Sequence, residues 1–169
     1  MLKVVAVSDT HMPRMAKKLP ERLVLELADA DRILHAGDWT SEEVYEQLAR
    51  FAPVDGVAGN NDGELLVKKF GLRKTVRIGD ARIGLVHGHS SNSKVTAERF
   101  AASAFGADEA DVVVFGHSHI PLMRSEGGIL LFNPGSPTDK RRQKQFSFGI
   151  LVIDGGNVEA RHVFYNSKE

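Results

Sequence analysis

Short, unbroken runs of Val, Ile and Leu recur along the chain, and they constrain its fold more than any other feature. Several are continuous rather than alternating, which is typical of strands that are buried on both faces of a sheet. The runs predict strands at Leu2–Val7, Arg32–His35, Pro53–Ala58, Thr75–Ile78, Arg82–Val86, Val112–Phe115, Ile129–Phe132, Phe146–Ile153 and Val158–Phe164.

Helical patterns separate the early strands. They cover Pro20–Ala28, a segment that opens at the capping-box motif Thr40–Glu43, and Ser93–Phe105. The first half of the chain therefore alternates strands and helices, which indicates a parallel sheet with crossover helices.

Paired turn residues mark the strand-rich second half. Gly79-Asp80, Gly127-Gly128 and Gly155-Gly156 are turn signals that predict hairpins. A length of 169 residues fits a single domain spanning 1–169. We therefore predict one α/β domain with a mixed or double sheet.

Polar motifs follow several of the predicted strands at the point where each one ends. They are Ser8-Asp9-Thr10-His11, Ala36-Gly37-Asp38, Gly59-Asn60-Asn61-Asp62, His87-Gly88-His89 and Gly116-His117-Ser118-His119. Sites in α/β proteins assemble at the carboxyl ends of strands, because the loops there converge on one crevice. We therefore expect these side chains to point at a common centre.

The residue types in these motifs indicate a metal centre. Asp9/His11, His87/His89 and His117/His119 are each separated by one residue, so an extended backbone would project both members the same way. The chain has no Cys, so any metal must be held by nitrogen and oxygen ligands. Carboxylate, imidazole and amide ligands suit two borderline divalent metal ions. Sites with two such metal ions catalyse the hydrolysis of phosphate esters.

In their order along the chain, these motifs, together with Asn133-Pro134-Gly135-Ser136, resemble those of the calcineurin-like metallophosphoesterase superfamily. The compact length is similar to that of its small bacterial and archaeal phosphodiesterases. The resemblance implies a four-layer αββα sandwich, in which two mixed β-sheets are flanked by helices and a binuclear centre lies at one edge. It also implies hydrolysis of a small phosphate-ester substrate by a hydroxide that is shared between the two ions.

The resemblance implies a ligand set for each ion. Asp9, His11 and His119 would bind one ion, Asn60, His87 and His117 would bind the other, and Asp38 would bridge them. We expect two divalent ions per chain, with Mn²⁺ as the first expectation and Ni²⁺, Co²⁺, Fe²⁺, Zn²⁺ or Mg²⁺ as alternatives.

The candidate catalytic residues are Asn61, Asp62 and His89. Many members of the superfamily have His at the position of Asn61, where it can act as a general acid. Asn has no useful pKa for that role, although it could hydrogen-bond a phosphoryl oxygen. His89 is the nearest alternative proton donor, and an equally strong interpretation is that it orients a metal ligand.

Two other functions stay open. The segment His11-Met12-Pro13-Arg14 and the pair Leu19-Pro20 resemble the phosphoesterase-like subunit of the retromer coat, a non-catalytic scaffold. That subunit departs from the motifs at the positions of Asp38 and Asn60, which this chain retains. The second alternative, a nuclease, would favour a basic, aromatic groove.

The composition of the chain argues against two classes of binding partner. Aromatic residues make up 7% of the chain and the formal net charge is zero, so neither a nucleic-acid nor an anionic-membrane partner is expected. The N-terminus lacks a signal-like segment, and no apolar run reaches about 20 residues, so the sequence predicts a cytoplasmic protein. The sequence is also compatible with a homo-oligomer. Arg14, Lys17, Lys18 and the basic run 139–144 could attract an anionic substrate.

Overall fold

Two five-stranded β-sheets form the centre of the structure, a computed structural model that describes residues 1–169. The strands are β1 (Leu2–Val7), β2 (Arg32–His35), β3 (Val54–Gly56), β4 (Arg73–Ile78), β5 (Ala81–Val86), β6 (Val112–Val114), β7 (Leu122–Glu126), β8 (Ile129–Asn133), β9 (Phe146–Asp154) and β10 (Asn157–Tyr165). The helices are α1 (Glu21–Leu27), α2 (Glu42–Ala49), α3 (Glu64–Phe70) and α4 (Ala97–Ala104).

The strand order agrees with a parallel core in each sheet. The first sheet runs β10-β9-β1-β2-β3, in which β1, β2 and β3 are parallel. The second runs β4-β5-β6-β8-β7, in which β5, β6 and β8 are parallel. The predicted hairpins join β4 to β5, β7 to β8 and β9 to β10. Both sheets are therefore mixed, and the carboxyl ends of β1, β2, β5 and β6 are available for a site.

Alternating side chains explain why the strands are continuously apolar. In β1, Val5 and Val7 pack with residues of α1, α2 and α3, whereas Val4 and Ala6 pack between the two sheets. In β6, Val113 packs toward α4 and its two neighbours face the space between the sheets. The chain thus has the predicted four-layer αββα architecture, with helices covering the outer face of each sheet.

Two elements differ from the sequence predictions. Helix α3 and strand β7 were not expected, because α3 buries only Leu66 and Phe70 and β7 is a polar edge strand with no fully buried residue. The predicted capping box is wrong in its contacts: Ser41 is the N-cap of α2, but its side chain makes no capping hydrogen bond. None of the four helices has the length and apolar character that crossing a bilayer requires.

Candidate metal centre

The loops that follow β1, β2, β5 and β6 are joined to one another by hydrogen bonds. Within the first sheet, the backbone N–H of Asp9 donates to Gly37 O at 2.9 Å. Between the sheets, the backbone N–H of His117 donates to Asp9 Oδ2 at 3.0 Å, and His87 Nδ1 lies 2.8 Å from Ala36 O. These bonds bring the predicted motifs to one edge of the sandwich.

Five buried side chains converge at this edge: Asp9, His11, Asp38, His87 and His119. Asp9 Oδ1 lies 3.8 Å from His11 Nε2, 3.6 Å from His87 Nε2 and 3.5 Å from His119 Nε2. Asp38 Oδ2 lies 3.4 Å from His11 Nε2 and 3.3 Å from His87 Nε2. Each carboxylate therefore stands between imidazoles that come from different loops.

The polar atoms at the middle of this cluster have no hydrogen-bond partner. Asp9 Oδ1 and the Nε2 atoms of His11, His87 and His119 are all buried and unpaired. Buried polar atoms are normally satisfied, so a group of them that face one another requires an explanation. A cation would satisfy all of them at once.

The tautomers of two histidines favour this explanation. His87 Nδ1 is bonded to Ala36 O, and His119 Nδ1 is bonded to Asp139 O. An imidazole that donates from Nδ1 to a carbonyl leaves the Nε2 lone pair free to ligate a metal. The residues form two ligand groups, Asp9/His11/His119 and Asp9/Asp38/His87, in which the donor atoms lie within 4.8 Å of one another.

The charges of the cluster also suit a cation. Burial disfavours ionisation of Asp38, but the His87 imidazolium and the hydrogen bonds from Asn61 outweigh it and hold the pKa of Asp38 well below its usual range. Burial likewise opposes the charge on His87, yet Asp38 and Asp9 raise its pKa to about 9. At neutral pH the metal-free cluster therefore pairs two carboxylates with a protonated His87, whose proton a metal ion must displace.

Left-handed backbone conformations concentrate in these loops. Positive φ angles occur at Asp9 (57°), His11 (45°), Asp38 (60°), His117 (72°) and His119 (62°). The expectation that an extended backbone projects paired residues the same way is therefore wrong. Each such residue costs on the order of 1–3 kcal/mol, and strain of this kind is typically retained at functional sites.

Glycines allow the loops to approach one another. A Cβ atom at Gly59 would lie 2.2 Å from Asp38 Oδ1, and one at Gly116 would lie 1.9 Å from Ser8 Oγ. Because real Cβ atoms do not approach so closely, only glycine permits the observed positions of Asp38 and of the loop after β6.

Two of the predicted ligands lie at the edge of the cluster. His117 is half-buried, and its ring centroid is 5.2 Å from that of His87. Asn60 is exposed and its side chain makes no hydrogen bond. Asn61 contacts the cluster instead: its backbone N–H donates to Asp38 Oδ1 at 2.9 Å, and its Nδ2 donates to Asp38 Oδ2 at 2.8 Å.

Asp62 holds the Asp38 loop in position. Its Oδ2 accepts hydrogen bonds from the backbone N–H of Asp38 at 2.8 Å and of Gly59 at 2.7 Å. Its Oδ1 accepts one from the backbone N–H of Thr40 at 2.8 Å. These contacts tie the loop after β2 to the loop after β3, so Asp62 positions the cluster through the backbone.

His89 lies beside the cluster with its ring centroid 5.6 Å from that of His87. Its Nδ1 is buried and has no hydrogen-bond partner. Burial and the charge on His87 lower the pKa of His89. It is therefore neutral at pH 7 and holds one nitrogen without a partner.

The Asn133–Ser136 motif supports the loops from behind. Ser136 Oγ donates to Asp9 O at 2.8 Å, and Asn133 Nδ2 donates to Gly116 O at 3.2 Å. The sequence pattern marked this motif by resemblance but assigned it no contact. The structure shows that it links β8 to the loops that carry Asp9 and His117.

A cleft of about 660 Å³ opens beside His11. Its lining residues are His11, Arg14, Met15, Thr40, Asn61, Asp139 and Arg141. A small molecule that entered this cleft would contact the cluster at His11 and at Asn61, the residue bonded to Asp38.

The sequence is similar to those of known phosphoesterases. A model of the calcineurin-like phosphoesterase superfamily domain matches residues 2–156. A probable metallophosphoesterase of Methanothermobacter thermautotrophicus is 36% identical over 159 residues, covering 91% of this chain and 87% of that protein. A phosphodiesterase of Methanocaldococcus jannaschii is 26% identical over 148 residues, covering 79% of this chain and 83% of that protein.

The fold also matches that of Vps29, whose name does not describe a phosphoesterase. The crystal structure of Vps29 from Chaetomium thermophilum gives a TM-score of 0.77 at 21% sequence identity. The match covers 98% of this chain and 99% of that one. At this identity the similarity concerns the fold alone.

Proposed function

The chain belongs to the calcineurin-like phosphoesterase superfamily, and from this premise we propose that it is a metal-dependent phosphodiesterase with a binuclear centre. The observation that carries the proposal is the set of buried, unpaired donor atoms on Asp9, His11, His87 and His119. A phosphoesterase whose chemistry depends on divalent cations needs such a set, whereas a protein without a metal would leave these atoms unsatisfied.

The proposed ligands fall into two groups. One ion would be held by Asp9, His11 and His119 and the other by Asn60, His87 and His117, with Asp38 shared between the two. Asp38 Oδ2 lies at similar distances from His11 and His87, which supports its bridging position. For Asn60 and His117 the proposal requires their side chains to turn inward when the ions bind. We expect Mn²⁺ to serve, since the ligands are imidazole and oxygen donors.

The residues around the proposed centre would orient a phosphate diester. Divalent ions held in the centre would supply positive charge for the phosphoryl oxygens and lower the pKa of a water molecule. Asn61 lines the cleft and reaches Asp38 with its amide, so it is placed to donate a hydrogen bond to a phosphoryl oxygen. His89 is one candidate proton donor, but burial and the charge on His87 lower its pKa and keep its ring neutral at pH 7. We therefore favour the other interpretation, in which His89 lies beside His87 and orients a metal ligand.

A non-catalytic scaffold is the second candidate, and the similarity in fold to Vps29 favours it. The unpaired, buried Asp9 Oδ1 and the Nε2 atoms of the three histidines around it weigh against a scaffold, because a scaffold gains nothing from unsatisfied buried polar atoms and strained loops. The nuclease alternative and the cytoplasmic location stay predictions from the sequence.

Hydrolysis of bis(p-nitrophenyl) phosphate tests the proposal. Protein treated with a chelator and then dialysed should be inactive, and added Mn²⁺ should restore hydrolysis in the wild-type chain. Asp38→Ala, which removes the bridging carboxylate, should not be restored. Failure of every divalent ion to support hydrolysis by folded wild-type protein would favour the scaffold.

A further inference from the structure

The cleft beside His11 carries two arginines, Arg14 and Arg141, and we call it the Arg14–Arg141 cleft after them. Its volume of about 660 Å³ lies within the range of small-molecule sites. The two guanidinium groups come from distant parts of the chain, the loop after β1 and the loop before β9. Both loops also carry residues of the metal cluster or their hydrogen-bond partners.

Arg14 stands on an anchored turn. Within this turn the backbone N–H of Met15 donates to His11 O at 2.8 Å, and Thr40 Oγ1 donates to Met12 O at 2.6 Å. Lys168 Nζ also donates a hydrogen bond to Met15 O in the same turn. The Arg14 side chain is exposed and makes neither a hydrogen bond nor an ion pair, so the fold fixes its base and leaves its guanidinium free.

Arg141 is held in a conformation that its residue type does not favour. Its φ is 49°, and the other non-glycine residues with positive φ are Asp9, His11, Asp38, Thr40, His117 and His119. Arg141 is the one member of this group that lies outside the cluster's own loops. Strained backbone is retained where the position of a side chain matters, so the conformation supports a binding role for Arg141.

Asp139 also lines the cleft and would repel an anion if its charge were free. Its carboxylate Oδ2 lies 3.9 Å from Arg141 Nε and 4.0 Å from His119 Nδ1. The carboxylate therefore faces the inner edge of the guanidinium and leaves the terminal nitrogens of Arg141 for a ligand. With Arg14, the charged side chains of the cleft sum to a net positive charge.

Several arginines elsewhere on the surface are closely paired with carboxylates. Arg82 lies 2.8 Å from Asp111, and Arg124 lies 2.8 Å from Glu126. Arg14 has no such partner and that of Arg141 is distant. Two free guanidinium groups that line one cleft are suited to a phosphate, since each can bind its oxygens in a bidentate manner.

The other basic residues singled out in the sequence face elsewhere. Arg142 and Lys144 line a hollow with Pro121 and Phe164. Lys18 lines another hollow with residues of α1 and α2. The basic run after the Asn133–Ser136 motif is therefore divided, and only Arg141 of its cations lines the cleft.

We propose that the Arg14–Arg141 cleft binds a second phosphate group of the substrate. The substrate class is then a phosphodiester that also carries a phosphomonoester, with the diester at the metal cluster and the monoester between the two arginines. This inference rests on the proposed phosphodiesterase function and specifies which diesters it would prefer.

Two chromogenic substrates with the same leaving group test the inference. Thymidine 5′-(p-nitrophenyl phosphate) carries only the diester, and its 3′-phosphorylated form carries the additional monoester. With Mn²⁺ present, wild-type protein should prefer the 3′-phosphorylated substrate by about tenfold or more in kcat/KM, mainly through a lower KM. Arg14→Gln and Arg141→Gln should each reduce this preference severalfold, and raising the salt concentration should reduce it in the wild type.

Matched controls remove the same charge outside the cleft. Arg142→Gln and Lys18→Gln should keep the wild-type preference. The inference is overturned if all four variants keep the preference, or if the two cleft variants lower kcat/KM for both substrates equally.

A binding measurement separates this inference from the proposed function. Thymidine 3′,5′-bisphosphate should bind wild-type protein more tightly than thymidine 5′-monophosphate by calorimetry, and Arg14→Gln should remove the difference. If neither ester is hydrolysed but the difference in binding is present, the phosphodiesterase function fails and the phosphate site stands. If the esters are hydrolysed without any difference in binding or preference, the phosphate site fails alone.

Discussion

Replacing Asp62 by Asn changes one atom type at the residue that joins the loops after β2 and β3. The Asp62 carboxylate accepts three backbone hydrogen bonds, from Asp38 and Gly59 at one oxygen and from Thr40 at the other. Asn offers one acceptor oxygen, so it can keep the first two bonds, but its amide group then faces the N–H of Thr40. The variant loses one bond outright, and the remaining two lose their charge.

The size of the effect follows from these bonds. Hydrogen bonds to a charged group contribute roughly 1.5–3 kcal/mol each and neutral ones about 1 kcal/mol. Losing one charged bond and weakening two would cost roughly 2.5–7 kcal/mol. Burial raises the pKa of Asp62, so removing its charge recovers part of the desolvation cost, and we expect a net destabilisation of about 3 kcal/mol for Asp62→Asn. Because the backbone N–H of Asp38 is among the donors, the bridging carboxylate should also shift, and removing a partner that orients a metal site lowers metal affinity by about 10–100-fold.

Urea unfolding of the chelated protein measures the free energy of unfolding, and calorimetry measures Mn²⁺ affinity. Asp80→Asn is the matched control, since Asp80 is an exposed residue of the β4–β5 turn that lies 3.4 Å from Arg77. We expect the control to change stability by no more than about 0.5 kcal/mol and to leave Mn²⁺ affinity unchanged. Loss of stability in Asp62→Asn with wild-type Mn²⁺ affinity would refute the positioning role, and no loss of either would refute the hydrogen-bond argument.

Three further predictions concern the cluster itself. Asp38→Ala should reduce activity more than the replacement of any other proposed ligand, and it should reduce bound Mn²⁺ to one equivalent per chain or fewer. A variant that keeps two equivalents of Mn²⁺ and near-normal turnover would exclude a bridging role for Asp38. Asn61→His should raise kcat/KM for diesters with poor leaving groups by up to about 10²-fold, because these leaving groups need a proton donor. Activated aryl esters, which need none, should change little. Equal effects on both kinds of substrate would contradict the proposal that Asn61 stands where a general acid is missing. Because the pKa of His87 is raised from 6.5 to about 9, its charge stabilises the metal-free fold fully below pH 6.5, and this stabilisation is lost as the pH rises through 9. Mn²⁺ binding at pH 7 should then release about one proton, measured by calorimetry in buffers of different ionisation enthalpy, and no release would contradict the assignment.

The sequence predicted most of the fold because its buried strands carry a strong signal. Runs such as Leu2–Val7 coincide with observed strands, since both faces of these strands are covered. Helix α3 and strand β7 were missed for the opposite reason: each contributes few buried side chains, so tertiary contacts rather than local pattern define them. The glycine-containing pairs predicted the hairpin turns correctly, because a two-residue turn requires the positive φ angle that glycine adopts easily.

The centre was predicted in location but not in detail. Polar residues after parallel strands marked the edge where Asp9, Asp38 and His87 converge. The left-handed backbone at Asp9 and His117 has no sequence signature, since non-glycine residues adopt it only when surrounding contacts impose it. The contact between Asn61 and Asp38 and the three bonds to Asp62 likewise depend on how two loops pack together.

Anomalous scattering from crystals grown with Mn²⁺ tests the central claim most directly, because it locates the ions without reference to activity. The account predicts two peaks in the anomalous difference map. One should lie among Asp9, His11 and His119, the other should lie beside His87, and Asp38 should stand between them. A single peak would contradict the binuclear centre, and no peak at these residues would contradict the metal site as a whole.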